Sequence, residues 1–380
     1  MAQYHFPPVD LLNEAKDTSK FSDRAYVSGL GESLNQMFAS FKMDVSVIES
    51  NGFGYCILFK IKLGEGVSPE AVRKMRTEIE VTLDGNPVEF MESPDGTKMI
   101  IAIKNQTRPK VMLKDVIRSR VFQEAESKLT VAAGVNVFAG YTTLDLEKYV
   151  NLIIVGMTGA GKTTFLNDII LSILYKARPD EVKLAMIDTK GADLPLLNGI
   201  PHMKGIDVAT SAEDGVKILK WLQNEMTERL ALMKAKKAKS LDEYNLYAQE
   251  KKPRWLLIID EYAEFKRGTK EDLDQMLIDM TKYSSLTGIH MIVATQGART
   301  EFLSAAIKEA IPARACLAVA DKRESRIVIA KTGAERLAGD GDMIITANDE
   351  DQGLFLQAAY ASDEEIDRVA SFLKNEALYE

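Results

Sequence analysis

Apolar positions follow one arrangement up to about residue 129 and a different one after it. In the first stretch, residues 28–41 set Leu30, Leu34, Met37, Phe38 and Phe41 at helical spacing, and residues 44–48 alternate as a half-buried strand does. Residues 55–63 form a second run of strand formers. Ser68 reads as a helix cap, with Pro69 in the first helical position and Val72, Met75 and Ile79 carrying the period to about Leu83. Residues 87–91 and 98–103 add two strands separated by the turn signal Ser93-Pro94-Asp95-Gly96. Beyond 129 the repeating unit becomes apolar strand, loop and helix. Residues 152–155, 184–187, 256–259, 289–294 and 315–319 are short continuous apolar runs, with helical segments between most of them, and 362–378 is a closing amphipathic segment. This alternation predicts a largely parallel sheet covered on both faces, whose ligands bind at the carboxyl ends of the strands. The pattern divides the chain into an extended arm at 1–20, marked by Pro7 and Pro8, a small α+β subdomain at 21–126, and an α/β domain at 127–380.

Composition narrows the class without naming the chemistry. A chain of 380 residues, 46% apolar and 27% charged, is an ordinary globular protein of two or three domains, which excludes collagen-like and disordered readings. Apolar runs such as 152–155 and 255–259 are far shorter than the roughly 18 to 20 residues of a membrane span. The opening MAQYHFPPVD has no basic leader or apolar core of a secretory signal, so a cytoplasmic location is expected. Cys56 and Cys316 lie far apart in apolar surroundings, as buried thiols in a reducing compartment do. A net charge of −8 argues against general attraction to nucleic acid while leaving room for a small basic channel.

The chemistry concentrates at strand ends. After the apolar run NLIIV stands Gly156-Met157-Thr158-Gly159-Ala160-Gly161-Lys162-Thr163, followed by a helical stretch that opens at Thr164. In such a loop backbone N–H groups face phosphate oxygens, Lys162 reaches the β- and γ-phosphates, and the Thr163 hydroxyl ligates Mg²⁺. A triphosphate site also needs a carboxylate at a neighbouring strand end. Trp255–Glu261 offers Asp260 for Mg²⁺ and Glu261 to polarise a water, whereas the run ending at Asp188 offers a single acid followed by Thr189 and Lys190. The Asp260-Glu261 pair is therefore taken as catalytic. Gln296, ending the next apolar strand, is placed to sense the γ-phosphate.

In order, PPVDLL, GMTGAGKT, IDTKGADL, GIPH, IIDEYAEF, GIHMIVATQ, IPAR, ESR and GAERLAGDGDMI resemble the motor region of the FtsK/SpoIIIE DNA translocases, over nearly the whole chain. The resemblance implies a RecA-like P-loop ATPase using ATP and Mg²⁺, assembling as a homo-hexamer around double-stranded DNA and pumping it. Position by position, Lys162, Thr163, Asp260, Glu261 and Gln296 match its Walker and sensor residues, and Lys308 and Lys322 match basic positions turned toward DNA phosphates. The chain departs from that pattern in three ways. Gly297-Ala298 replaces Arg-Pro, with Arg299 two residues on, and Ser285 stands where an arginine finger is usual. A finger contributes about 10³ to 10⁵ in rate, so substitution by Lys282, Arg314 or Arg326 is expected. No membrane segment precedes the motor and no winged-helix module follows it, which suggests either a stand-alone motor of a mobile element or phage, with a separate anchor or loading protein, or a part trimmed from a longer protein. The alternative is a related ATPase of a secretion or conjugation system. The lysines Lys234, Lys236, Lys237 and Lys239 end a long amphipathic helix from about Glu213 and read as a solvated helix end. His5, His202 and His290 read as structural.

Overall fold

A computed structural model describes residues 4–14, 20–53, 56–92, 99–104, 109–136, 140–192, 194–297, 303–348 and 353–378. The expected turn at 93–96 lies outside the described residues, as do Asp193, Ala298 and Arg299.

The small subdomain is an antiparallel sheet with helices on one face. Strands β1 (Val45–Gly52), β2 (Cys56–Leu63), β3 (Val88–Glu92) and β4 (Met99–Lys104) are ordered β1-β2-β4-β3. The helix Arg24–Ser40 starts where the Asp23 carboxylate accepts the Ala25 and Tyr26 N–H groups. Ser68 caps the next helix as expected, but the helical period breaks at Met75 into Pro69–Lys74 and Arg76–Thr82. Ile57, Phe59, Ile61 and Ile101 pack under these helices with Leu34, Phe38 and Ile79. On the opposite face Cys56, Leu58, Ile100 and Ala102 join the core of the larger domain. Two buried faces explain why Cys56–Phe59 is continuously apolar rather than alternating.

Ten strands form the larger sheet: β5 (Val111–Met112), β6 (Thr130–Asn136), β7 (Gly140–Asp145), β8 (Asn151–Val155), β9 (Val182–Asp188), β10 (Arg254–Asp260), β11 (Ile289–Thr295), β12 (Arg314–Leu317), β13 (Asp342–Thr346) and β14 (Leu354–Tyr360). The run β12-β8-β11-β10-β9 is parallel throughout, the expected RecA-like half. From β12 the sheet continues antiparallel through β13, β14, β6 and β7. Alternate strand residues face opposite layers. Ile154, Met186, Ile258 and Ala294 pack against Phe165 and Ile169 of the helix Lys162–Lys176 and against Ile366 and Leu373 of the closing helix Asp363–Leu378. Ile153, Ala185, Leu257 and Val293 face Val216, Leu219 and Leu222 of the helix Ala212–Lys236.

Two segments differ from the sequence division. Residues 111–123, grouped with the small subdomain, pack on the larger one: β5 pairs with β14, and Leu113, Val116, Ile117 and Phe122 lie in the larger core. A two-residue strand and two short helices hold too few positions to display a period. The arm is also docked. Leu12 is buried in the larger core, the Asn13 N–H donates to Glu365 Oε1 at 2.7 Å, and Arg368 Nε donates to the Leu11 carbonyl at 3.0 Å. Among the described residues no helix is long and apolar enough to cross a membrane.

Candidate active site

The carboxyl ends of β8, β11, β10 and β9 lie side by side, and each delivers polar residues to one region. After β8 the chain turns through Gly156–Gly161 into the helix Lys162–Lys176. The turn is held from below: the Gly156 N–H donates to Thr295 O at 3.4 Å and the Met157 N–H to Ala318 O at 2.9 Å. It is held from above by the loop before β13, where the Gly341 N–H donates to Ala160 O at 2.9 Å. That contact requires glycine on both sides. Gly161 has φ 97°, and a Cβ there would meet Gly341 N at 2.8 Å; Gly341 has φ 92°, and a Cβ there would meet that of Ala358 at 3.0 Å. The result is an exposed loop on a rigid seat, bordering a cavity of about 460 Å³ lined by Met157–Gly159, Gly161–Thr164 and Gln296.

The acids are placed on the neighbouring strand. Asp260 ends β10, is buried, and accepts a hydrogen bond from Lys162 Nζ. Glu261 follows at φ 57°, in the left-handed region that side-chain-bearing residues rarely adopt. This turns its buried carboxylate toward β11, where Oε1 accepts from Thr295 Oγ1 at 3.1 Å and from the Gln296 N–H at 3.2 Å. Gln296 in turn accepts from Thr158 Oγ1 at 3.2 Å, so a continuous polar chain links Glu261, Gln296 and the glycine-rich loop. Asp188, level with Asp260 on β9, has another use. Its carboxylate accepts the N–H groups of Lys190, Gly191 and Leu194 and shapes its own turn.

Lys190 carries no role in the sequence reading, yet its Nζ lies 3.4 Å from Glu261 Oε2. Only the adjacency of β9 and β10 brings them together, and no linear spacing signals it. Two oxygen donors, the Asp260 carboxylate and the Thr163 hydroxyl, suit a hard cation such as Mg²⁺. For Asp260 to serve, Lys162 must leave it, as happens when phosphate oxygens offer the ammonium a better partner.

The remaining cations are scattered. Lys282 pairs with Asp279 at 2.6 Å on an exposed helix end. Arg314 is buried at the amino end of β12 and donates to Lys308 O at 2.7 Å, within its own subunit. Arg326 is exposed on the helix Lys322–Ile329, one turn after exposed Lys322. Lys308 is half-buried and its Nζ donates to Ile327 O at 3.2 Å. The lysines Lys234 and Lys236 sit exposed in the last turn of Ala212–Lys236, beside the helix C-terminus. His202 and His290 are buried, with burial as the chief cause of a pKa lowered to about 4 in each, and their ring nitrogens bond the carbonyls of Ala177 and Val150.

Residues 112–359 match the FtsK/SpoIIIE family, and residues 6–104 match the FtsK alpha domain. The chain belongs to the FtsK/SpoIIIE family. Among FtsK/SpoIIIE relatives, DNA translocase FtsK of Clostridium acetobutylicum is 33% identical over 383 residues, covering 98% of this chain and 50% of that protein. DNA translocase SftA of Bacillus subtilis is 32% identical over 98% of this chain and 40% of its own length. The chain thus spans about half the length of the first of these relatives. The solved pCW3 conjugation coupling protein TcpA, in its monomer form with ATPγS, has a TM-score of 0.59 at 20% identity over 92% of this chain and 99% of its own. The cytoplasmic domain of the Thermomonospora curvata type VII secretion ATPase EccC has a TM-score of 0.60 at 19% identity, over 70% of this chain and 34% of its own. These two likenesses establish the P-loop ATPase fold of this FtsK/SpoIIIE chain.

Proposed function

We propose that this chain is an ATP-driven motor that moves along double-stranded DNA as a ring of identical subunits, a hexamer by family likeness. The observation that carries the reading is the linked set of Lys162, Asp260, Glu261, Gln296 and Thr158 at one edge of the glycine-rich loop, because it joins a base to a phosphate sensor. The backbone of Gly156–Thr163 holds the triphosphate and Lys162 exchanges Asp260 for the β- and γ-phosphates. Mg²⁺, held by Thr163 and Asp260, would neutralise charge on the phosphates. Glu261 orients water for in-line attack, and Gln296 transmits loss of the γ-phosphate to residues 297–308, which act on the DNA backbone. Lys308, Lys322 and Arg299 contribute the DNA contacts, although Lys308 must first release Ile327 O. In place of an arginine at Ser285 we favour Arg326, which is exposed and has no side-chain partner among the described residues, over Lys282, which is already paired, and Arg314, which is buried. The names of the full-length relatives favour DNA as cargo.

The test is the ATP turnover rate with and without long linear duplex. Strong stimulation that falls with rising salt, together with displacement of a triplex-forming strand, is the expected result. Equal rates with and without DNA would refute the DNA motor and leave a secretion ATPase as the reading to pursue.

A further inference from the structure

The cavity beside the glycine-rich loop is lined not only by that loop but also by segments outside every motif described above. Besides Thr163 and Thr164, its lining includes Lys110 and, from β14, Gln357 and Tyr360. Lys110 lies in the connection between the small subdomain's last strand and β5, whose Val111 and Met112 pair in parallel with Ala359 and Tyr360. The Gln357 side-chain N–H donates to Asp340 O at 2.7 Å, which ties this wall to the loop supporting the phosphate end. Tyr360 is half-buried, and the Lys110 ammonium sits 3.3 Å from its ring centroid.

We propose that Tyr360 seats the nucleoside base, that the base and the Lys110 ammonium compete for one face of its ring, and that base occupancy is thereby reported to the connection between subdomain and motor. The proposal rests on reading Gly156–Thr163 as the triphosphate site. A nucleoside attached to a triphosphate there shares the cavity with Tyr360, which supplies a planar aromatic surface to its lining. Stacking of a base on an aromatic ring outweighs an exposed cation–π contact. Lys110 is exposed on a flexible stem and can leave the ring at small cost, whereas Tyr360 is held in a strand paired on both sides. Filling the seat therefore displaces Lys110, not the sheet.

Calorimetric titration of the full chain with ATP and with inorganic tripolyphosphate, both with Mg²⁺, tests this directly. Wild type should prefer ATP. Tyr360→Ala should weaken ATP about tenfold while leaving tripolyphosphate unchanged, and Tyr360→Phe should restore ATP affinity. Lys110→Ala should tighten ATP roughly two- to fivefold by removing the competitor. Amide hydrogen exchange at Lys110–Met112 should respond to ATP and not to tripolyphosphate. The base seat is overturned if Tyr360→Ala binds ATP like wild type, or if Lys110→Ala weakens it. Wild type binding both ligands equally would remove the base seat alone. Binding neither would bring down the triphosphate site itself.

Discussion

Glu261 concentrates the residue-scale argument. Its left-handed backbone costs about 1–3 kcal/mol, and the strain aims a buried carboxylate at Thr295 and Gln296. Glu261→Gln keeps the size and most of the hydrogen bonds but loses the base, so ATP binding should persist while turnover falls by about 10²-fold or more in a steady-state assay. Lys190 touches the same carboxylate and acts through it. Lys190→Ala should lower kcat several-fold with little change in KM, and Lys190→Arg should recover most of the loss. Unchanged kcat in the alanine variant would reduce the contact to a surface ion pair. Asp168 poses a different residue-scale question. It is fully buried on the helix behind the glycine-rich loop, where burial and the neighbouring Glu365 push its pKa well above the ordinary value. An acid raised in the fold binds its proton there while the unfolded chain has lost it, so its contribution to stability is lost as pH rises from about 4 through its folded pKa. Asp168→Asn removes that dependence. Urea denaturation should find it more stable than wild type at pH 8, with the gap closing on acidification.

At the scale of elements, the glycine-rich loop depends on a partner distant in sequence. The loop at Gly341 covers it, and the close approach of Gly161, Gly341 and Ala358 stacks three segments with no room for a side chain. Gly341→Ala combines a positive φ with a tight contact. It should weaken ATP binding by about 1–2 kcal/mol, roughly five- to thirtyfold, while the overall fold survives. Fluorescent-nucleotide titration would measure it, and wild-type affinity would mean that the covering loop is dispensable. The five parallel strands were legible because each is a short run buried on both faces. The antiparallel strands β6, β7 and β14 were not, since residues such as Gly134, Thr142, Thr143 and Gln357 interrupt their apolar pattern. Hydrogen bonding to neighbours, rather than their own period, defines them.

At the scale of the whole molecule, the small subdomain packs on the larger one through the sheet face of Cys56, Leu58, Ile100 and Ala102, and is flanked by the docked arm before it and β5 after it. Asp10 and Glu14 of the arm pair with Lys114 and Arg118 just after β5, so the two attachments meet. Motion of the subdomain relative to the motor must disturb that packed face as well as this junction. Leu12, although it precedes the subdomain, is buried in the motor's core, and Leu12→Ala should destabilise the motor by about 2–4 kcal/mol. Trp221 and Trp255 both lie in the motor, so fluorescence-detected denaturation reports the effect. An unaltered midpoint would show that the arm rests on the motor without supporting it.

Local features were legible in the sequence by itself: the glycine-rich loop at 156–163 between a strand and a helix, the alternation of strand and helix, and the solvated helix end at Lys234 and Lys236. Those features depend on residues close together in the chain, where spacing alone states the geometry. Tertiary structure decided what depends on segments meeting from far apart. It brought Lys190 to Glu261, Gly341 over Ala160, and Lys110 onto Tyr360, and it moved residues 111–123 and the arm onto the larger domain. The physical reason is that neighbours in a sheet are selected by pairing and by burial of shared faces, and no linear pattern records which strand will lie beside which.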